Sequence, residues 1–514
     1  MSKKASSDLF QLIQTMSANE KGYFKKFVAR HTIGGKNKSV ILFDAIELQT
    51  RKSSGEYDEN EILNKEDVIG SEQLPDLKNH LYELVLKSLE SFHSGNSAYS
   101  RLKGYLRQIE VLHNKLLFDQ CKKLIVKAKK LAIEYEEFLE LLDIKRWETS
   151  VMNNLHNVEE TEKDINAFFN EETAIIEKYA GERKFKRLHD NLFFHLYKKG
   201  LIRKKSEMDD LERIIKNPLL NNESNADTFF SRICYYGVYM NYYLQRSMDA
   251  KAFPFAKKKI EFIESNPAML KENTQLYTTA YQNFMTLAGR LKKFDELKTA
   301  IENIRKIKTK SHSQNTFVFY WSFSKELEMY IKMGRFKEGM KLVEALSKEI
   351  SGDRKNDLAD YELLFFHFNF AIVCFGNENF AGANKWLNRI LNEQMIRIDY
   401  YVFAKILNLM THFELRNDDL LPYLIKSCYR FLYRSNRLYK FETVFLNFFR
   451  KSLANVKSSR ELLHSFEELK KELNILNKDP FERRAFDFLD VISWLESKIE
   501  KRSFADIVKG KAGI

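Results

Sequence analysis

Markers, all but one of them apolar or aromatic, recur along most of this chain, each placed where a second helix of a pair would begin. Read by eye they are Phe118, Thr161, Met208, Phe253, Phe294, Phe336, Phe380 and Leu420, at intervals of 43, 47, 45, 41, 42, 44 and 40 residues. A near-constant interval of this size constrains the fold more than any other feature. Each unit is one helical hairpin that cannot bury its apolar face alone, so the units must stack. The stretch from Phe317 to Glu349 shows one such unit. Trp321, Leu327, Tyr330 and Ile331 form one helical stripe, and Leu342, Val343 and Leu346 form a second. Between them lies Gly334-Arg-Phe336-Lys-Glu-Gly339, whose first glycine can take the left-handed conformation that ends a helix.

Composition agrees with long helices. At 514 residues the chain exceeds one ordinary core, so several domains or a repeat array are expected. Only 6 Pro and 18 Gly are present, too few for the frequent turns of a many-stranded β fold. The 41 Phe and 24 Tyr read first as core filler and second as an aromatic-lined binding surface.

Gly334-Arg-Phe336-Lys-Glu-Gly339 resembles the hairpin core of the tetratricopeptide repeat: a glycine, an aromatic two residues on, and a small residue three beyond it. Phe380-Ala-Gly-Ala383 resembles the aromatic and small-residue half of that core. Gly376 and Gly289 lie four and five residues before Phe380 and Phe294, so those loops read as longer than the family's. At Phe294 and Leu420 the small position holds Leu297 and Tyr423. The period is also longer than the family's by roughly 8 residues, and HEAT-type repeats share this longer range. The Gly-x-aromatic turn favours the tetratricopeptide-like form. The whole is also similar to uncharacterised bacterial helical-repeat proteins that open with a short helical module. The resemblance implies an all-α fold, an α-solenoid of about eight hairpins with a period of about 40–47 residues.

The expected organisation has four parts. Residues 1–92 form an N-terminal helical module, including a capping-box sequence at Ser17–Glu20 and an amphipathic helix over Leu74–Phe92. Residues 93–100 form a linker, and 101–476 the repeat array. Residues 477–514 supply a capping helix over Phe481–Lys501 and a loose tail from Ser503.

Candidate chemistry is sparse. Phosphate-binding loops, dinucleotide fingerprints, nucleophile elbows and HExxH are missing from the sequence. Two Glu-x-x-His pairs, Glu110/His113 and Glu461/His464, have the spacing of di-iron bundle ligands, but they lie near opposite ends of the expected array and read as solvated faces. His189 and His195 flank Asp190 among aromatics and read as packing residues. Cys121, Cys234, Cys374 and Cys428 are too far apart for CxxC chemistry; buried thiols in a reducing, cytoplasmic setting are expected. No metal or cofactor is expected.

The net charge of +13 is mild for this length, and residues 1–96 hold 13 basic and 14 acidic residues, so the surplus lies downstream. Its densest point is Lys198, Lys199, Arg203, Lys204 and Lys205, five of eight positions around a probable turn at Gly200. This cluster is the candidate partner-binding site, for phosphate or an acidic partner, weighed against a solvated loop. The reading that follows is a non-enzymatic scaffold that binds a protein or peptide in the groove of the array. The alternative is nucleic-acid binding through its basic faces.

Overall fold

In the computed structural model the described residues are 7–29, 37–50, 57–65, 69–155, 161–199, 211–246, 248–309, 311–352, 354, 357–392, 395, 397–455, 458–479, 482, 483 and 485–513. Among them every regular element is helical, and there is no strand. Contacts divide the chain into two compact units, Met1–Gly181 and Glu182–Ile514.

The first unit holds two separate cores. Helices α1 (Asp8–Thr15), α2 (Ala18–Ala29), α3 (Lys38–Thr50), α4 (Glu59–Lys65) and α5 (Leu74–His93) enclose Ile13, Phe24, Leu42, Phe43, Ile46, Leu81 and Val85. The capping box forms as read: the Ser17 N–H donates to Glu20 Oε2 at 2.7 Å, and the Glu20 N–H donates to Ser17 Oγ at 3.3 Å. Helix α6 (Ala98–Asn114), capped by Ser97, packs on α7 (Phe118–Glu134), which packs on α8 (Phe138–Leu155). With the first part of α9 (Thr161–Lys199) they enclose the second core around Ile109, Cys121, Ile144 and Ile175. Lys145, 1% exposed, is kept satisfied there by Glu148 at 3.0 Å and Glu171 at 2.6 Å.

The second unit begins within α9 and continues through α10 (Phe229–Gln245), α11 (Asp249–Glu264), α12 (Pro267–Glu272), α13 (Thr274–Arg290) and α14 (Phe294–Lys306). Then come α15 (His312–Lys332), α16 (Phe336–Ser351), α17 (Asp360–Gly376), α18 (Phe380–Asn392), α19 (Ile398–Glu414) and α20 (Leu421–Arg434). The chain ends with α21 (Lys440–Asn455), α22 (Ser459–Leu476), α23 (Ala485–Phe488), α24 (Val491–Glu500) and α25 (Phe504–Ala512). Two packing rules recur. Consecutive helices from α10 to α22 pack on one another, and the first helices pack in series, α13 on α15, α15 on α17 and α17 on α19. The crowded α15–α19 interface buries Phe319, Leu327, Phe366, Phe370, Val373 and Phe403 in one continuous core.

One turn joins most of these pairs. Leu116, Glu136, Lys292, Gly334, Glu378, Arg416 and Asn436 all have φ between 52° and 66°. The N–H of the residue after each returns to the carbonyl five positions back, for instance Arg335 to Tyr330 at 2.9 Å and Asn379 to Cys374 at 2.9 Å. This pair of features is the Schellman ending of a helix. Gly334 fills the left-handed position as read from the sequence, with φ +66°. The loops before Phe294 and Phe380, read as longer, are not: Lys292 and Glu378 stand two residues before those phenylalanines, where Gly334 stands before Phe336. Phe118, Phe294, Phe336 and Phe380 start helices, whereas Phe253 lies inside α11 and Met208 falls outside the described residues.

The C-terminal end differs from the sequence reading in two ways. The single helix expected over Phe481–Lys501 is interrupted after Phe488 and restarts at Val491, where Asp490 accepts from the Ser493 N–H at 2.9 Å. The tail expected to be loose contains α25, capped by Ser503, with Ile507 and Val508 buried. Phe504 stacks on Phe336 with ring centroids 5.5 Å apart, and a Cβ on Gly334 would lie 2.7 Å from the Ala505 carbonyl oxygen.

Candidate binding groove

A cavity of about 520 Å³ lies along the stacked first helices of the second unit. Helix α13 contributes Arg290, α15 contributes Lys325, Glu328 and Lys332, α17 contributes Phe365 and Phe368, and α19 contributes Tyr400 and Phe403. These side chains line it because their helices pack in series and each presents one face: Lys325, Glu328 and Lys332 lie at i, i+3 and i+7 of α15.

Paired charge dominates this wall. Lys325 Nζ donates to both Glu328 oxygens, at 3.0 and 2.8 Å. Lys332 Nζ donates to the Gly289 carbonyl at 3.0 Å. Burial pushes Glu328 up, yet Lys325, Lys332 and Arg290 outweigh burial and hold its carboxyl below the usual range. Burial pushes the Lys332 ammonium below the usual lysine range, with Glu328 opposing it.

From the stretch between α22 and α24, Glu482, Ala485, Asp487 and Phe488 also line the cavity. Phe488 of α23 stacks flat on Phe403, with centroids 4.4 Å apart and planes at 5°, and meets Tyr400 edge-on at 5.5 Å. Phe486 meets Phe441 at 5.2 Å. Glu482 accepts from the Lys440 and Phe441 N–H groups at 3.4 and 3.1 Å, at the electropositive start of α21. Behind it lies Glu442, 5% exposed, whose Oε2 has no hydrogen-bond partner among the described residues. Burial, with the nearby Glu482 charge, pushes the Glu442 carboxyl up to about 7.

The residues singled out from sequence lie elsewhere. The side chains of Lys198 and Lys199, and all of Arg203, Lys204 and Lys205, fall outside the described residues, as does the His195 side chain. His113 bonds Ser150 Oγ at 2.8 Å and packs against Phe118 and Trp147. Exposed His464 faces Glu468 at 3.5 Å. No group of three or more possible metal ligands occurs among the described residues. His189 packs its Nε2 edge against Gly237, where a Cβ would lie 2.9 Å away, and burial lowers its affinity for a proton. All four cysteines are buried and unbridged.

The groove residues were missed because each one reads in sequence as helix interior. The available signal was the apolar-to-charged switch within α15, where Lys325, Glu328 and Lys332 interrupt an aromatic run. No helix among the described residues is long and apolar enough to cross a membrane. Comparison of the chain with protein-family models, with curated proteins and with solved structures finds no match.

Proposed function

We propose that this protein is a non-enzymatic, tetratricopeptide-like α-solenoid scaffold that binds a peptide segment of a protein partner in the groove of its second unit. The observation that carries this reading is Phe488, a ring of the short helix α23 that lines the groove and stacks flat on Phe403. Flanking Lys325–Glu328 and Arg397–Asp399 pairs supply both signs of charge to fix a peptide's register. The recurrent Schellman turns and the packing of alternate helices support the solenoid form of the array. Catalysis is not part of the proposal: Lys325 and Glu328 are held in a pair, and the one unpartnered carboxylate oxygen of the described lining, on Glu442, has no nucleophile hydrogen-bonded to it among the described residues.

The test is selection of a displayed random-peptide library on the full chain carrying Phe488→Ala. Peptides bearing an aromatic anchor are expected to be enriched, and to lose binding to Tyr400→Ala. Enrichment that survives Tyr400→Ala and Phe403→Ala together places the site elsewhere and overturns the reading.

A further inference from the structure

The outer side of α20 carries a different chemistry. A cleft of about 590 Å³ lies between α19 and α20. Its described lining holds four cations, Lys405, Lys426, Arg430 and Arg434, three aromatic rings, Tyr401, Tyr423 and Phe431, and no carboxylate. Tyr423, Lys426, Arg430 and Arg434 follow one another at i, i+3, i+7 and i+11, so they form one stripe along the helix. A second cleft, of about 460 Å³, lies on the other flank of α20. It shares Lys426, adds Arg450 from α21, and again has no carboxylate in its described lining.

Two features separate this surface from an ordinary basic face. The first is that its cations lack acidic partners: among the described residues none of the four is in an ion pair. Elsewhere in the unit Lys325, Arg397 and Lys498 each hold a carboxylate. The nearest acids by sequence, Asp418 and Asp419, lie in the turn before α20, outside both linings. The second is the exposure of its rings. Tyr423, Tyr433 and Tyr429 are 73%, 68% and 46% exposed, and the last two lie parallel within 9°. Rings of this size normally serve burial, and here they stand in solvent among cations.

We propose that this ridge binds single-stranded nucleic acid, with Lys426, Arg430 and Arg434 on the phosphates and Tyr423, Tyr429 and Tyr433 stacking on unpaired bases. Unpaired cations tracking a backbone, interleaved with exposed rings, are what such binding requires, because every base presents a π face whatever its sequence. An acidic peptide would satisfy the cations but leave the rings unused. Duplex nucleic acid would not offer its base faces. The proposal is independent of the groove reading: Tyr401 and Lys405 leave α19 on a different face from Tyr400 and Phe403.

The test is fluorescence anisotropy of labelled oligo(U) and oligo(dT) against the full chain across a salt series. Binding is expected with a log–log salt slope of roughly −0.7 per phosphate contact, so Arg430→Gln with Arg434→Gln flattens the slope by about 1.4. Tyr423→Ala is expected to weaken binding by about 5-fold to 150-fold, the range of one lost base stack. All of these positions are on the surface, so unchanged helical circular dichroism certifies the variants. Absence of binding at physiological salt overturns the proposal. So does equal affinity for duplex, or an affinity the tyrosine changes leave untouched. Binding only to vesicles rich in phosphatidylserine, with none to either oligonucleotide, also overturns it and assigns the ridge to a membrane surface.

Discussion

Single residues decide the joints of this molecule. The left-handed position that ends a helix costs a non-glycine residue roughly 1–2 kcal/mol, yet Lys292, Glu378 and Arg416 occupy it. The Schellman hydrogen bonds behind each offset that cost. This is why the joint at Gly334 could be read from sequence and those at Lys292 and Glu378 could not: the bonds that hold them are backbone bonds with no residue signature. Gly334 is more constrained still, because α25 lies against it. Gly334→Val is expected to destabilise the fold by about 1–3 kcal/mol from backbone strain alone, read as a lowered midpoint in thermal unfolding; an unchanged midpoint would contradict the joint as described. A second residue-scale expectation concerns pH. Glu442 has a folded value near 7, raised above its ordinary 4.5, so the folded state holds its proton more tightly than the unfolded chain. Its contribution to stability is complete below about pH 4.5 and is lost as pH rises through about 7. At ~1.4 kcal/mol per unit, up to roughly 3 kcal/mol is involved. Glu442→Gln is therefore expected to flatten the stability profile between those limits, and a variant that follows the wild-type profile would refute the assignment.

At the level of elements, helices with strong stripes were legible and their ends less so. The amphipathic helix over Leu74–Phe92 appears as α5, Leu74–His93, because its apolar positions keep the helical spacing without a break. Phe253 misled as a helix start because α11 begins earlier, at Asp249, and buries Phe253 in its second turn. The last helix was read as loose tail although Ser503-Phe-Ala-Asp506 carries a capping signal, with Ser503 Oγ accepting from the Asp506 N–H at 3.1 Å. Its short apolar pair, Ile507 and Val508, is too small to register as a stripe, and the helix is placed by Phe504 on Phe336 and by Ala505 and Lys509 at Gly334. Truncation after Arg502 is expected to expose Phe336 and Phe375, each of which meets Phe504. The loss should be about 2 kcal/mol or more, below the ~3–5 kcal/mol of a fully buried phenylalanine because Phe504 is half-buried. An unfolding transition indistinguishable from that of the full chain would show that α25 contributes nothing to the fold.

For the whole molecule, all-helical architecture was legible because breakers are scarce and the marker interval is regular. The groove was legible only as an expectation that the array would carry one. Its content was not, since Phe488 and Phe403 are separated by 85 positions and no local pattern joins them. The central claim is that this groove is a peptide site, held in the chain itself by Phe488. Calorimetric titration of a synthetic peptide covering residues 479–490 tests it most directly. The peptide is expected to bind the Phe488→Ala chain with a dissociation constant on the order of micromolar, to bind the wild-type chain far more weakly, and to lose binding when Tyr400→Ala and Phe403→Ala are added. Failure to bind the Phe488→Ala chain, or binding that persists without Tyr400 and Phe403, would contradict the claim.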